Sequence, residues 1–310
     1  MSVLTKTADQ SKNKWFRLAW ILPVAIIGLA LVVLAARWMR GTEWMQGFLA
    51  AYPGRTPLPE GAPEGFPAWL NWQHFLNAFF LVLIIRSGWR VRTVTRPPAY
   101  WTRRNTGPFR TRRAPAKISL DLWFHLSMDV LWLLNGAVFV VLLFATGHWM
   151  RIVPTSWEVF PNALSAALQY LSLDWPTEDG WVNYNSLQLL AYFAIVFIAA
   201  PLAAVTGVRM SGAWPKDAER LNKAYPIELA RAIHFPVMLF FVFFVIIHVT
   251  LVISTGALRN LNHMYAGQSS DSWTGFWYFA ASLVVMVIGW VAARPLVLRP
   301  IANLMGKVSR

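Results

Sequence analysis

Cysteine is absent from all 310 residues. Its absence excludes disulfides, cysteine-held iron–sulfur clusters, thiolate ligation of haem and covalent c-type haem attachment, so any redox metal must be held by other side chains. Charge is also scarce: only 14% of residues are charged, with 14 Asp and Glu against 28 Lys and Arg. Soluble domains carry about a quarter charged residues. A chain that is 56% hydrophobic and 15% aromatic, with a mean hydropathy of +0.43, cannot hide its apolar side chains in one soluble core. Histidine is rare too, with six in the chain.

What the sequence has in abundance is apolar runs long enough to cross a bilayer, which takes roughly 20 residues. Six stand out: Trp15–Trp38, Pro67–Gly88, Ile118–Thr146, Leu187–Val208, Ala232–Ser254 and Thr274–Ala293. No internal repeat or low-complexity tract interrupts them. The expected fold is therefore an all-α integral membrane bundle of six transmembrane helices in one domain, residues 1–310. The first run has a basic start and a Val-Leu-Ala stretch that a cleaved signal peptide would also show. Its length favours a retained helix, and the rest of the topology is the same either way.

A net charge of +14 would suit a nucleic-acid binder, but placement decides against that reading. The residues before and within the first turn of the first run hold Lys6, Lys12, Lys14 and Arg17. The loop from Arg86 to Lys117 holds ten basic residues and no acidic one. The loop from Arg209 to Arg231 adds five, and the tail adds Arg294, Arg299, Lys307 and Arg310. Only Arg37, Arg40, Arg55, Arg151 and Arg259 fall on the other side. Basic loops resist translocation and are drawn to anionic headgroups, so both termini are expected in the cytoplasm, with membrane lipid as a partner. Trp69, Trp72, Trp149, Trp157, Trp273 and Trp277 lie near run ends, where an interfacial belt belongs.

The fifth run carries His234 and His248, 14 residues apart with almost nothing polar between. At about 100° per residue both rings point to one side within about 40°, separated by about 21 Å along the axis. Imidazoles in hydrocarbon are costly unless they serve a ligand or partner. Topology sets two more at matching depths. His74 lies 12 residues from Arg86, in the outer half with His248. His125 lies eight residues from Lys117, in the inner half with His234, which is three from Arg231. Any one of these could be an interhelical hydrogen bond. As four in depth-matched pairs, His74 with His248 and His125 with His234, they point to two bis-histidine b haems stacked across the membrane. Ligation on both faces favours electron transfer over oxygen activation, and each ring should donate its other N–H to an oxygen.

Other residues stay open. Asp129, four residues past His125, either orients a ligand, relays protons or makes a protonated helix contact. Arg86, Arg90 and Arg231 suit haem propionates as well as plain topology. His148 and His263 are surface polar residues, quinone or propionate partners, or ligands of a zinc site without a spacing signature.

From about Phe66 to Ser254 the chain resembles the dihaem cytochrome b subunits of respiratory formate dehydrogenase, nickel–iron hydrogenase and thiosulfate reductase. The resemblance rests on His74 followed by Arg86-Ser87-Gly88, on His125, on the His234/His248 pair, on Tyr184-Asn185-Ser186-Leu187-Gln188 and on Thr206-Gly207-Val208. It implies a four-helix haem core over residues 66–254. Residues 1–65 would add an extra N-terminal helix and outer loop, and residues 255–310 an outer loop, last helix and cytoplasmic tail. It also implies an electron-transfer subunit of an oxidoreductase complex in the bacterial cytoplasmic membrane, exchanging electrons between a soluble partner, of molybdopterin or flavin type, and a membrane quinone. Carried over by residue, the quinone belongs near His248 with Asn185 and Gln188. The extra first helix inverts the core relative to formate dehydrogenase, which puts the quinone outside and the partner behind the inner basic loop; with docking sides exchanged within the family, partner and quinone swap places. Two other readings stand beside it: a transmembrane metalloreductase, which ordinarily wants a second helix with a spaced histidine pair, and a cofactor-free transporter or scaffold.

Overall fold

The computed structural model describes residues 2–106, 110–111, 114–175 and 179–310, with the backbone alone over residues 2–18. Arg112 and Arg113 of the basic loop lie outside the described residues. Six helices are long and apolar enough to cross a membrane: Ala19–Arg40, Ala68–Thr93, Leu120–Ala145, Ser186–Met210, Ile227–Ser254 and Thr274–Ala292. Their side chains are turned outward as only a hydrocarbon solvent tolerates; Leu22, Val24 and Leu34 of the first are each more than 60% exposed. This is a multi-pass membrane protein.

In chain order the helices are α1 (Ser2–Arg40), α2 (Glu43–Ala51), α3 (Ala68–Thr93), α4 (Leu120–Ala145) and α5 (Val159–Leu171). There follow α6 (Ser186–Phe193), α7 (Ala200–Met210), α8 (Glu219–Ala224), α9 (Ile227–Ser254), α10 (Ala257–Leu261), α11 (Thr274–Ala292) and α12 (Pro295–Met305). The fourth span runs from α6 to α7 through a π-helical stretch, Ala194–Ala199. Pro201, at the start of α7, has no N–H to continue the regular ladder, which accounts for the widened turn. Helices outrun their apolar runs: α1 starts at Ser2, α3 continues past Gly88 to Thr93, and α9 begins at Ile227, straight after Pro226. Polar ends leaving the bilayer stay helical because their backbone bonds are already made.

Contacts divide the chain into two units. The first comprises Met1–Pro57, Pro154–Glu178 and Tyr184–Leu190. Arginines counted for topology hold it together. Arg37 Nε donates to the Ser172 carbonyl at 2.9 Å, and Arg40 donates to Ser172 Oγ at 2.6 Å and pairs with Asp174 at 2.7 Å. Asn162 Oδ1 accepts from Gly54 N at 2.9 Å, and Gly54 O accepts from Ser186 N at 2.9 Å. This ties α5, the loop after α2 and the start of α6 into one layer.

The second unit comprises Leu58–Val153, Asp179–Asn183 and Ala191–Arg310. Here α3 packs on α4, α7 on α9, and α11 on α3. Ser119 caps α4, its hydroxyl accepting from Leu122 N at 3.1 Å. Beside it a small sheet, absent from the sequence reading, has strand order β2-β1-β3. β1 (Tyr100–Arg103) pairs antiparallel with β2 (Lys117–Ser119) in register Tyr100↔Ser119, and with β3 (Gly306–Ser309) in register Tyr100↔Ser309. Its side chains join a core of Leu83, Leu120, Trp123, Phe124, Leu298 and Ala302. Arg90 grips Asp121 with two nitrogens, at 2.7 and 3.3 Å, and so staples α3 to α4. At the other end of the unit Arg151, 2% exposed, donates to the carbonyls of Gly65 and Gly180 at 2.6 Å each.

Candidate functional site

Three spans carry the four histidines of the predicted site, and all four lie in the second unit. α9 supplies His234 and His248, α3 supplies His74 and α4 supplies His125. They meet in the expected pairs. The His74 and His248 ring centroids are 6.3 Å apart with planes at 55°, and those of His125 and His234 are 6.4 Å apart with planes at 84°. An imidazole nitrogen ligates a metal at about 2.0–2.1 Å and its ring centre lies about 1.1 Å further back. Two rings on opposite faces of one iron therefore have centroids about 6.3 Å apart. Both pairs match that span, and their fourteen-residue separation on α9 sets them about 21 Å apart along its axis. Between the levels, Trp132 of α4 meets Phe241 of α9 edge to face at 6.3 Å.

The surroundings of the pairs differ. At the His125–His234 pair, labelled inner after the side that the charge pattern predicts (and His74–His248 outer), Ser87 Oγ lies 3.0 Å from His125 Nδ1, and Thr206 Oγ1 lies 2.8 Å from His234 Nδ1. Each hydroxyl is followed by a glycine that lets a ring approach. A Cβ at Gly88 would stand 3.1 Å from His125 Cε1, and one at Gly207 would stand 3.6 Å from His234 Cε1. At the outer pair the neighbours are aromatic. His248 stacks on Phe244 at 5.5 Å and 7° and meets the Tyr192 ring at 6.4 Å, while His74 stands edge-on to Tyr265 at 5.7 Å. The His74 Nδ1 atom is buried with no hydrogen-bond partner among the described residues.

Asp129 Oδ2 stands 3.6 Å from His125 Nε2, beyond hydrogen-bond range but close enough to feel its charge state. Of the arginines considered for propionates, Arg90 is committed to Asp121, Arg86 lies over the Trp290 ring at 5.2 Å and Arg231 is exposed. His148 and His263 are buried in the loop layer at 8% and 3% exposure, rather than on the surface. Thr146 Oγ1 lies 2.9 Å from His148 Nδ1, and His263 stacks on Phe66 at 5.6 Å with Asp179 at 3.7 Å. Burial pushes both imidazoles below their usual pKa, with the Arg151 charge adding to the effect at His148. Among the described residues no group of three or more metal-ligating His, Asp or Glu gathers.

Asn185 and Gln188 belong to the first unit. They form a reciprocal cap at the start of α6: Gln188 N donates to Asn185 Oδ1 at 2.9 Å, and Asn185 N donates to Gln188 Oε1 at 3.2 Å. Asn185 is 1% exposed and donates to the Tyr170 hydroxyl at 3.0 Å. Sequence reasoning gave no role to Ser87, Thr206, Tyr265 or Phe244. The signal available was the pair of matching dipeptides, Ser87-Gly88 and Thr206-Gly207, near the ends of two different spans.

Apolar spans holding imidazoles in facing pairs define a membrane protein of the b-haem class. The prokaryotic cytochrome b561 family matches the chain over residues 65–267, and the chain belongs to that family. It is thus a multi-pass cytochrome b that binds b haem and transfers electrons as a membrane subunit, as the resemblance read from the sequence leads one to expect. A curated protein of Azospira oryzae that bears the name of a protein-methionine-sulfoxide reductase subunit, YedZ1, is 28% identical over 198 residues, covering 60% of this chain and 88% of its own length. No solved structure matches.

Proposed function

We propose that the chain is a dihaem, quinone-linked electron-transfer subunit in the bacterial cytoplasmic membrane with both termini inside. His74 and His248 hold one b haem, and His125 and His234 hold the other. The observation that carries this reading is the pair of ring separations, 6.3 and 6.4 Å, each fitting one iron between two imidazoles. Each haem, when bound, supplies a one-electron carrier with no open coordination position. The protein supplies the four ligands, their orientation and the apolar sheath that keeps the two levels apart.

The rest of the reading concerns what stands at either end. A soluble oxidoreductase as partner is supported by the name of the Azospira oryzae relative. The sequence resemblance assigns Asn185 and Gln188 to the quinone, which leaves the inner face for the partner. The 1% exposure of Asn185 and the engagement of both amides in a helix cap favour a second arrangement, with quinone inside and partner outside.

One experiment tests the core of the proposal. The purified protein should contain two b haems per chain, reducible by a quinol analogue in proteoliposomes. One haem or none, or two that quinol leaves oxidised, overturns it. Adding an impermeant oxidant to one side of the vesicles then reports which face hands electrons on.

A further inference from the structure

Ser87 and Thr206 do the same thing on different helices. Both are 1% exposed. Ser87 Oγ sits 2.8 Å from the Leu83 carbonyl and 3.0 Å from that of Ile84. Thr206 Oγ1 sits 2.6 Å from the Leu202 carbonyl and 3.1 Å from that of Ala203. A hydroxyl has one proton, and a carbonyl can only accept it. The proton therefore goes to the helix backbone, and the oxygen offers the imidazole a lone pair. His125 Nδ1, at 3.0 Å, and His234 Nδ1, at 2.8 Å, must then be the donors. A neutral ring with its proton on Nδ1 has a free pair on Nε2, the atom a metal needs. The opposite tautomer of His125 would look to Asp129, whose oxygen at 3.6 Å is too far to accept.

Donation from Nδ1 raises the basicity of the ligating nitrogen, and a more basic ligand stabilises the oxidised metal. The outer pair lacks this symmetry: the buried His74 Nδ1 has no partner among the described residues, and His248 lies against Phe244 and Tyr192. We infer that Ser87 and Thr206 are positioning residues that fix both inner ligands as Nδ1–H tautomers and hold the inner haem at a lower potential than the outer one. With both haems bound, that difference would favour electron transfer from the inner pair to the outer. This rests on the two-haem reading and holds whichever face the quinone occupies.

The test is a redox titration of the intact purified protein, followed at the b-type alpha band. His125→Ala identifies the inner wave, which is expected to be the lower of two. Ser87→Ala and Thr206→Val should each move that wave positive and leave the upper wave in place. Thr206→Ser, which keeps the hydroxyl, should restore the wild-type value. Thr206→Val preserves the side-chain shape, so it carries the test alone if Ser87→Ala fails to fold. If His125→Ala removes the upper wave, or if neither hydroxyl variant moves the lower one, the inference is wrong while two waves still stand. Fewer than two haems per chain in the wild type would instead remove the reading beneath it.

Discussion

The inner and outer histidine pairs have nearly the same spacing, yet they are built from different materials. The inner rings are steered by hydrogen bonds to two hydroxyls on neighbouring helices, with glycines clearing the approach. The outer rings are steered by shape, between Phe244, Tyr192 and Tyr265. A hydrogen bond specifies a tautomer and tunes basicity; aromatic packing fixes a ring plane and leaves the nitrogen chemistry alone. One scaffold can thus hold two chemically identical cofactors in unequal electronic settings. The two ends of the second unit differ in a similar way: a staple between Arg90 and Asp121 at one, and buried neutral imidazoles in the loop layer at the other.

The comparison can be broken most severely at the ligands. His125→Ala or His234→Ala should abolish the inner haem and halve the pigment per chain, leaving the outer alpha band intact; His74→Ala should do the converse. Pigment analysis with low-temperature spectra would decide, and loss of both haems from any single variant would refute independent pairs. Next come the glycines. Gly88→Ala places a methyl 3.1 Å from His125 Cε1 and should lower inner haem occupancy or shift its spectrum, whereas Gly207→Ala, at 3.6 Å, is ordinary contact and should be tolerated. Equal sensitivity at both would argue against a tighter fit at His125.

A smaller effect is expected from the staple. Arg90→Gln leaves Asp121, with a side chain 12% exposed, without its charged partner. The cost should be about 1–3 kcal/mol, read as a lower melting temperature followed through the haem absorbance. The smallest effect belongs to the loop layer. His148 and His263 have native pKa values lowered from 6.5. Below that pH the unfolded chain takes up protons that the native one resists, so stability present above about pH 6.5 declines as the pH falls. Replacing both with Gln should flatten this acid-side loss; an unchanged slope would place its origin elsewhere.

The spans were legible because hydropathy over twenty residues is a strong signal, and the facing histidines because so few imidazoles lie in so apolar a setting. The loop-layer burial of His148 and His263 was not. Both follow the ends of spans, and their cover comes from Trp69 and Phe66, far away in sequence. The hydroxyl partners were hidden for a similar reason: Ser87 and His125 lie 38 residues apart, and Thr206 and His234 lie 28 apart. Helix α5 left a mark that could have been read, with Val159, Ala163 and Ala166 buried at helical spacing. The strands left none, since three or four residues within a basic loop carry no period, and β1 finds β3 only through the folded tail.

That last pairing imposes an order on biosynthesis. β1 leaves the ribosome early, but the strand that covers its second edge follows only after the sixth span. Until then the basic loop carries a row of unsatisfied amides and carbonyls on one side, the kind of edge that recruits other chains. A polypeptide that stalls or is clipped before Gly306 would keep that edge open however well its histidines were assembled. β3 thus works as a latch that closes only once the sixth span has been made.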